Sequence, residues 1–111
     1  MAVTTIDAED IIRGEDRQFQ FYFPAGLPTG AASWAYSLVL VQTKNGAAVV
    51  TKTFGSGDYD GGTERWNFTV PATGTGAGTD QLTPDRTTWG TVRRTDSGYN
   101  KVLYKFTCTV G

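Results

Sequence analysis

Ile12-Arg13-Gly14-Glu15-Asp16-Arg17-Gln18-Phe19-Gln20-Phe21-Tyr22-Phe23 decides the fold of this chain. A charged turn centred on Gly14 runs straight into a stretch with Phe19, Phe21 and Phe23 on alternate positions. Successive strand side chains point to opposite faces, so the three phenylalanines share one face and Gln18, Gln20 and Tyr22 the other. A strand with one apolar and one polar face belongs to a sheet that covers something on one side only.

Working outward, the same grammar repeats to the end of the chain. Trp34–Gln42 is apolar on both faces, with Trp34, Tyr36, Leu38 and Leu40 opposing Ala35, Val39 and Val41. That predicts a central strand covered on both sides. Lys44-Asn45-Gly46 predicts a type I′ hairpin turn, because Asn-Gly accepts positive φ angles. The next strand, Ala48–Phe54, is expected to pair with the central one. Arg65–Val70 sets Trp66, Phe68 and Val70 inward against Arg65, Asn67 and Thr69 outward. Thr88–Thr95 and Lys101–Val110 read as a closing hairpin over Asp96-Ser97-Gly98-Tyr99, with Val102, Tyr104, Phe106, Cys108 and Val110 on one face.

Three loops interrupt this pattern: Pro24–Gly30, the Gly- and Asp-rich Gly55–Gly62, and the long stretch Pro71–Arg86, which exceeds the usual connection length and is expected to be functional or mobile. No helix longer than a turn and no internal repeat is visible. The expectation is an all-β, single immunoglobulin-like antiparallel β-sandwich of about seven to eight strands. It would occupy residues 1–111 as one domain, with an N-terminal segment at 1–16 and the long Gly/Thr-rich loop at 71–86. A small closed barrel satisfies the same pattern.

The 111 residues suffice for one domain whose core buries roughly two-thirds of the unfolded surface without staples. Cys108 is the single cysteine, so no intrachain disulfide can form, as befits a reducing compartment. No stretch approaches the roughly 20 apolar residues of a membrane span. Met1–Thr5 lacks the basic and apolar regions of a secretory signal, and the chain reads as made in the cytoplasm from Met1. Charge is uneven. Residues 1–20 carry Asp7, Glu9, Asp10, Glu15 and Asp16 against Arg13 and Arg17, a net of −3; residues 86–111 carry Arg86, Arg93, Arg94, Lys101 and Lys105 against Asp96, a net of +4.

Catalytic chemistry finds little support. There is no histidine, which removes the commonest general base and zinc ligand. Cys108 lies on the apolar face of its strand, where a buried thiol is inert. Gly74-Thr75-Gly76-Ala77-Gly78 lacks the following helix and the lysine of a phosphate-cradling loop. Asp58, Asp60 and Glu64 could offer oxygens to calcium, but the full ligand pattern is missing. Asn67-Phe68-Thr69 matches a glycosylation acceptor inside a predicted strand. No cofactor, no metal and no catalytic residue is expected. Trp89, Tyr99 and Tyr104 among the C-terminal cations raise single-stranded nucleic-acid binding, which the overall pI of about 5.2 and the lack of a dominant basic stripe disfavour. The acidic start and basic end are better suited to orient protein–protein contacts, including contacts between copies.

Three landmarks stand in order: Ile12-Arg13-Gly14-Glu15-Asp16, Trp34-Ala35-Tyr36, and Val92-Arg93-Arg94-Thr95-Asp96-Ser97-Gly98. The series resembles small immunoglobulin-like β-sandwich structural proteins of tailed bacteriophages, notably the N-terminal domain of baseplate upper proteins. The resemblance implies a non-enzymatic virion component. In multidomain relatives that domain anchors to the particle and carries a distal receptor-binding part, which has no counterpart in this sequence. A capsid decoration or accessory protein, or a minor neck, tail or baseplate piece, is therefore expected, with capsid or tail proteins and further copies of itself as partners. Candidate contact residues are Asp7, Glu9 and Asp10, the loop Thr73, Gly74, Thr75, Gly76, Ala77 and Gly78, and Arg93, Arg94 and Lys101. The alternative is a carbohydrate-binding module using Tyr59, Asp58 and Asp60.

Overall fold

The computed structural model describes residues 11–23, 26–43, 46–96 and 98–111. The described residues form seven strands: β1 (Arg17–Phe21), β2 (Tyr36–Val41), β3 (Val50–Phe54), β4 (Tyr59–Asp60), β5 (Arg65–Val70), β6 (Thr87–Arg94) and β7 (Lys101–Thr109). They pair antiparallel in two sheets, ordered β1-β5-β4 and β3-β2-β6-β7. Two sheets with separate edges make a sandwich and exclude the closed barrel. The interleaving of strands between sheets is that of an immunoglobulin-type sandwich. The chain enters at Ile11–Arg13, where Ile11 and Val110 form a parallel bridge and the Ile11 and Arg13 amides donate to the carbonyls of Thr109 and Gly111 at 2.9 and 3.0 Å. Gly14, at φ +83°, then turns the backbone over to β1 in the other sheet.

Aromatic rings join the sheets. Tyr36 stacks on Phe54 with centroids 5.0 Å apart and planes 6° apart, Phe54 on Phe68 at 4.1 Å and 10°, and Phe68 on Phe19 at 5.7 Å and 25°. This column runs from β2 and β3 across the interior to β5 and β1. Phe21 packs beside it against Tyr36, Phe54 and Trp66 at 5.5, 5.8 and 5.5 Å. Phe21, Tyr36 and Trp66 are wholly buried. Phe23 lies past the end of β1, yet it still meets Trp66 edge-on at 5.8 Å. On the far side Gly90 of β6 faces Phe106 of β7, and a Cβ there would sit 2.2 Å from the ring. Only glycine lets that ring lie flat over the strand.

The long segment after β5 is tied down at both ends. Thr79 is fully buried; its hydroxyl accepts from the Gly14 amide at 3.1 Å and donates to the Glu15 carbonyl at 2.7 Å. Asp16 accepts from the Ala72 amide at 2.7 Å. The Gln42 side chain clasps Thr83, donating to its carbonyl at 2.9 Å and accepting from its amide at 2.7 Å. The turn Ile12–Asp16 that opens the sequence is thus also the anchor of the loop. The loop in turn covers the β3 edge, where the Thr51 amide donates to the Gly76 carbonyl at 3.0 Å.

Three expectations change. β2 is covered on one side only: Tyr36, Leu38 and Leu40 are buried under the other sheet, while Val39 and Val41 are half-buried and face outward. Val102 does not share the face of Tyr104 and Phe106. A bulge between Val92 and Arg93 leaves Leu103 unpaired and sets Val102 opposite Arg93, 37% exposed. β1, β2, β3 and β7 are one or two residues shorter at one or both ends than the alternation suggests, β6 is shifted one residue earlier, β5 matches its expected bounds, and the stretch Gly55–Gly62 read as loop contains the short strand β4. The Asn45 turn lies outside the described residues.

Truncating the shared column is expected to cost more than truncating any single-sheet contact. Phe54→Ala and Phe68→Ala should each lose about 3–5 kcal/mol in urea unfolding, against under about 1 kcal/mol for Gln18→Ala on the exposed face. A second expectation concerns alkali. The Tyr36 hydroxyl donates to the Ala31 carbonyl at 2.6 Å, and burial pushes its ionisation well above the ordinary phenol range, with Arg94 pulling the other way. The folded value is raised, so this contribution is complete below about pH 10 and is lost as pH rises beyond it. Thermal melts should show stability falling above pH 10, and Tyr36→Phe should flatten that fall while lowering the neutral-pH midpoint.

Candidate interaction surface

The two outward faces of the sandwich differ in chemistry. On the three-stranded sheet, Gln18 and Gln20 of β1 stand beside Asn67 and Thr69 of β5. Arg65 donates to Gln20 at 3.0 Å and lies over the Tyr22 ring at 4.5 Å. This face is polar.

The four-stranded sheet is the opposite. Its outward register runs Val41–Trp89–Thr107, then Val39–Thr91–Lys105, then Ser37–Arg93–Val102 across β2, β6 and β7. Val39, Val41 and Trp89 are half-buried, whereas Lys105 and Thr107 are exposed. Together with Ala48 they line a groove of about 680 Å³, apolar at its floor and cationic at Arg93 and Lys105. The apolar phase of Val39 and Val41 in β2 was the sequence signal for this surface.

Beside the groove, but on the opposite face of β6, the β6–β7 hairpin holds a further cation. The Arg94 guanidinium is held between the rings of Trp34, at 3.8 Å, and Tyr99, at 3.7 Å. It also forms a two-pronged pair with Asp96 at 2.8 and 3.2 Å. That pair holds the Asp96 carboxyl below its usual range and raises Arg94 further. Arg94 is therefore a structural cation that fixes the half-exposed Tyr99 ring. Arg93 points the other way, into the groove, and donates to Asn100 at 3.0 Å. Lys101 is exposed at the start of β7.

The loop candidates divide. Thr73, Gly74, Thr75 and Gly76 form an exposed tip, whereas Ala77 is half-buried and Gly78 buried. The Gly78 amide closes the tip on the Gly74 carbonyl at 2.8 Å, and a Cβ at Gly78 would strike the Thr73 backbone at 2.4 Å. This tip and the Arg93 groove occur on different parts of the sheet, the tip at the β3 edge and Arg93 on β6. Asp7, Glu9 and Asp10 lie outside the described residues.

The residues singled out for sugar or calcium serve local turns. Asp58 accepts from the Gly55 amide at 3.1 Å and Asp60 from the Gly62 amide at 2.9 Å. The Tyr59 ring packs on Trp66 at 4.7 Å. Among the described residues, no three acidic or cysteine side chains gather as a metal site. No helix among them is long and apolar enough to cross a membrane. Comparison with protein-family models, curated proteins and solved structures finds no match to this chain.

Arg94→Ala should free the Tyr99 ring, collapsing its ring-current shifts in proton NMR spectra, while the global melting transition persists. In the parent chain the same signature should survive acidification through the ordinary carboxylate range near pH 4 and disappear only below it, because the lowered Asp96 value keeps the pair charged until then.

Proposed function

We propose that this chain is a non-enzymatic virion structural protein of a tailed bacteriophage, a capsid decoration or accessory piece or a minor neck, tail or baseplate component. It would act through protein–protein contacts at the outward face of its four-stranded sheet. The observation that carries this reading is the asymmetry of the two outward faces. A polar face needs no partner. Covering what remains exposed of the half-buried Val39, Val41 and Trp89 would be worth a fraction of the about 1.5–3 kcal/mol that full burial of a large apolar side chain brings, and tryptophan and arginine are enriched among the residues that dominate protein contacts. Arg93 and Lys105 at the rim would select an acidic partner surface and set its orientation.

The resemblance in the three landmarks supports the particle assignment. All three serve the sandwich itself: the Ile12–Asp16 turn anchors the long loop, Tyr36 joins the sheets, and the Arg94–Asp96 pair with Trp34 rigidifies the β6–β7 hairpin. An anchoring domain needs such rigidity because ordering at the contact costs affinity.

The test is incorporation into particles. Phage assembled with Trp89→Glu or Val41→Glu chains should lose the protein by quantitative mass spectrometry. Gln18→Glu, on the polar face, should be retained at the parent copy number. Circular dichroism of the purified variants verifies that each folds. Equal incorporation of all three would overturn the reading.

A further inference from the structure

The outward rows of the four-stranded sheet follow a fixed order along the strands. Val41, Trp89 and Thr107 form the row nearest the Ile11–Val110 bridge, Val39, Thr91 and Lys105 the middle row, and Ser37, Arg93 and Val102 the far row. The first row carries no charge, and the other two carry one cation each. The groove therefore has a direction, with an apolar end and two positive steps beyond it. Neither cation is neutralised from within the groove. Arg93 donates to the uncharged Asn100 side chain at 3.0 Å, Lys105 is exposed, and no acidic residue is among the lining.

The spacing of the rows selects the shape of what can bind there. Positions two residues apart on a strand are roughly 6.7 Å apart, and an extended segment laid along β6 presents every second side chain at the same period. Three alternate side chains then meet the three rows in step. A helix repeats about every 5.4 Å and is out of step by the third row. A nucleic-acid strand carries a phosphate at every unit and would leave a charge on the apolar row.

We infer that the groove takes an extended segment of another protein in which an apolar residue is followed, at alternate positions, by two acidic residues. The apolar side chain covers Trp89 and Val41, the first carboxylate meets Lys105 and the second meets Arg93. The inference rests on the reading of this face as the contact surface and names what the partner offers to it. Among the described residues of this chain, Asp58 and Asp60 are the one pair of acids two positions apart. Ser56 and Gly62 flank them where an apolar anchor is required, so the described part of a second copy supplies no such segment. Attraction between exposed charges of this kind is weakened by salt, whose screening length falls to about 3 Å at 1 M.

The test titrates the full-length chain, labelled with ¹⁵N, with the capped peptide Ser-Leu-Thr-Asp-Thr-Asp-Ser and with its counterpart carrying lysine at both aspartate positions. The acidic peptide should move the Trp89 indole and the Thr91 and Lys105 amides saturably, and the lysine peptide should bind roughly tenfold more weakly. The Trp66 indole, buried in the core, should stay in place as the control of folding. The Arg93→Glu, Lys105→Glu double variant should reverse the preference. A nitroxide attached at the leucine end should broaden the Thr107 amide more than that of Asn100. No saturable shift at millimolar peptide, equal binding of the two peptides, or the opposite broadening would overturn the inference. Tighter binding of an oligothymidylate at the same signals would also overturn it, as would shifts that grow with protein concentration alone, which would assign the groove to a second copy. The docking reading fails separately, through normal incorporation of Trp89→Glu chains into particles.

Discussion

The stack of Tyr36, Phe54, Phe68 and Phe19 is the interaction on which the rest of the molecule depends, because it is where the two sheets become one body. Hydrogen bonds hold each sheet together but none of the strand ladders crosses between them. The rings do, and large flat side chains bring much apolar area to a small interior. A chain of 111 residues without disulfides has few other means of fixing one sheet against the other.

Once the sheets are fixed, the connections follow. The opening turn lies where Thr79 can reach Gly14 and Glu15, so the long segment after β5 is pinned at the point where the chain changes sheets. Gln42 performs the same service at the other end of the segment. The two edges of the four-stranded sheet are handled differently. At β3, Thr51 pairs with the loop at Gly76, and Lys52 occupies an inner-face position opposite Leu38, both of which discourage another strand from adding there. At β7, Ile11–Arg13 covers the last residues, and lysines stand at positions 101 and 105. With both edges guarded, the outward face of that sheet is the more open surface for a partner.

On the proposed reading that face is the contact surface. Its floor is apolar and its rim is cationic. Arg93 and Arg94 are neighbours in sequence with separate duties. Strand alternation sends one into the groove and the other towards Trp34, Tyr99 and Asp96. A count of C-terminal cations treats them alike, and only their placement on opposite faces of β6 separates contact from scaffold.

The sequence by itself determined the strands other than the two-residue β4, the turn at Gly14 and the inward set of Phe19, Phe21, Trp66, Phe68 and Val70, because period-two alternation is a local property that survives without knowledge of neighbours. It also determined that Cys108 is buried. The tertiary structure decided three matters that depend on what lies opposite. Apolar residues on both faces of β2 are compatible with a second covering layer or with an open groove, and only the absence of a layer over Val39 and Val41 in the described sandwich distinguishes them. The bulge at Arg93 reverses the alternation beyond it, so Val102 turns outward against the phase set by Tyr104 and Phe106. The long loop is rich in glycine and threonine, a composition that says nothing of order. Its fixation comes from Gly14, Glu15, Asp16 and Gln42, which are distant in sequence and meet it only after the sheets have packed.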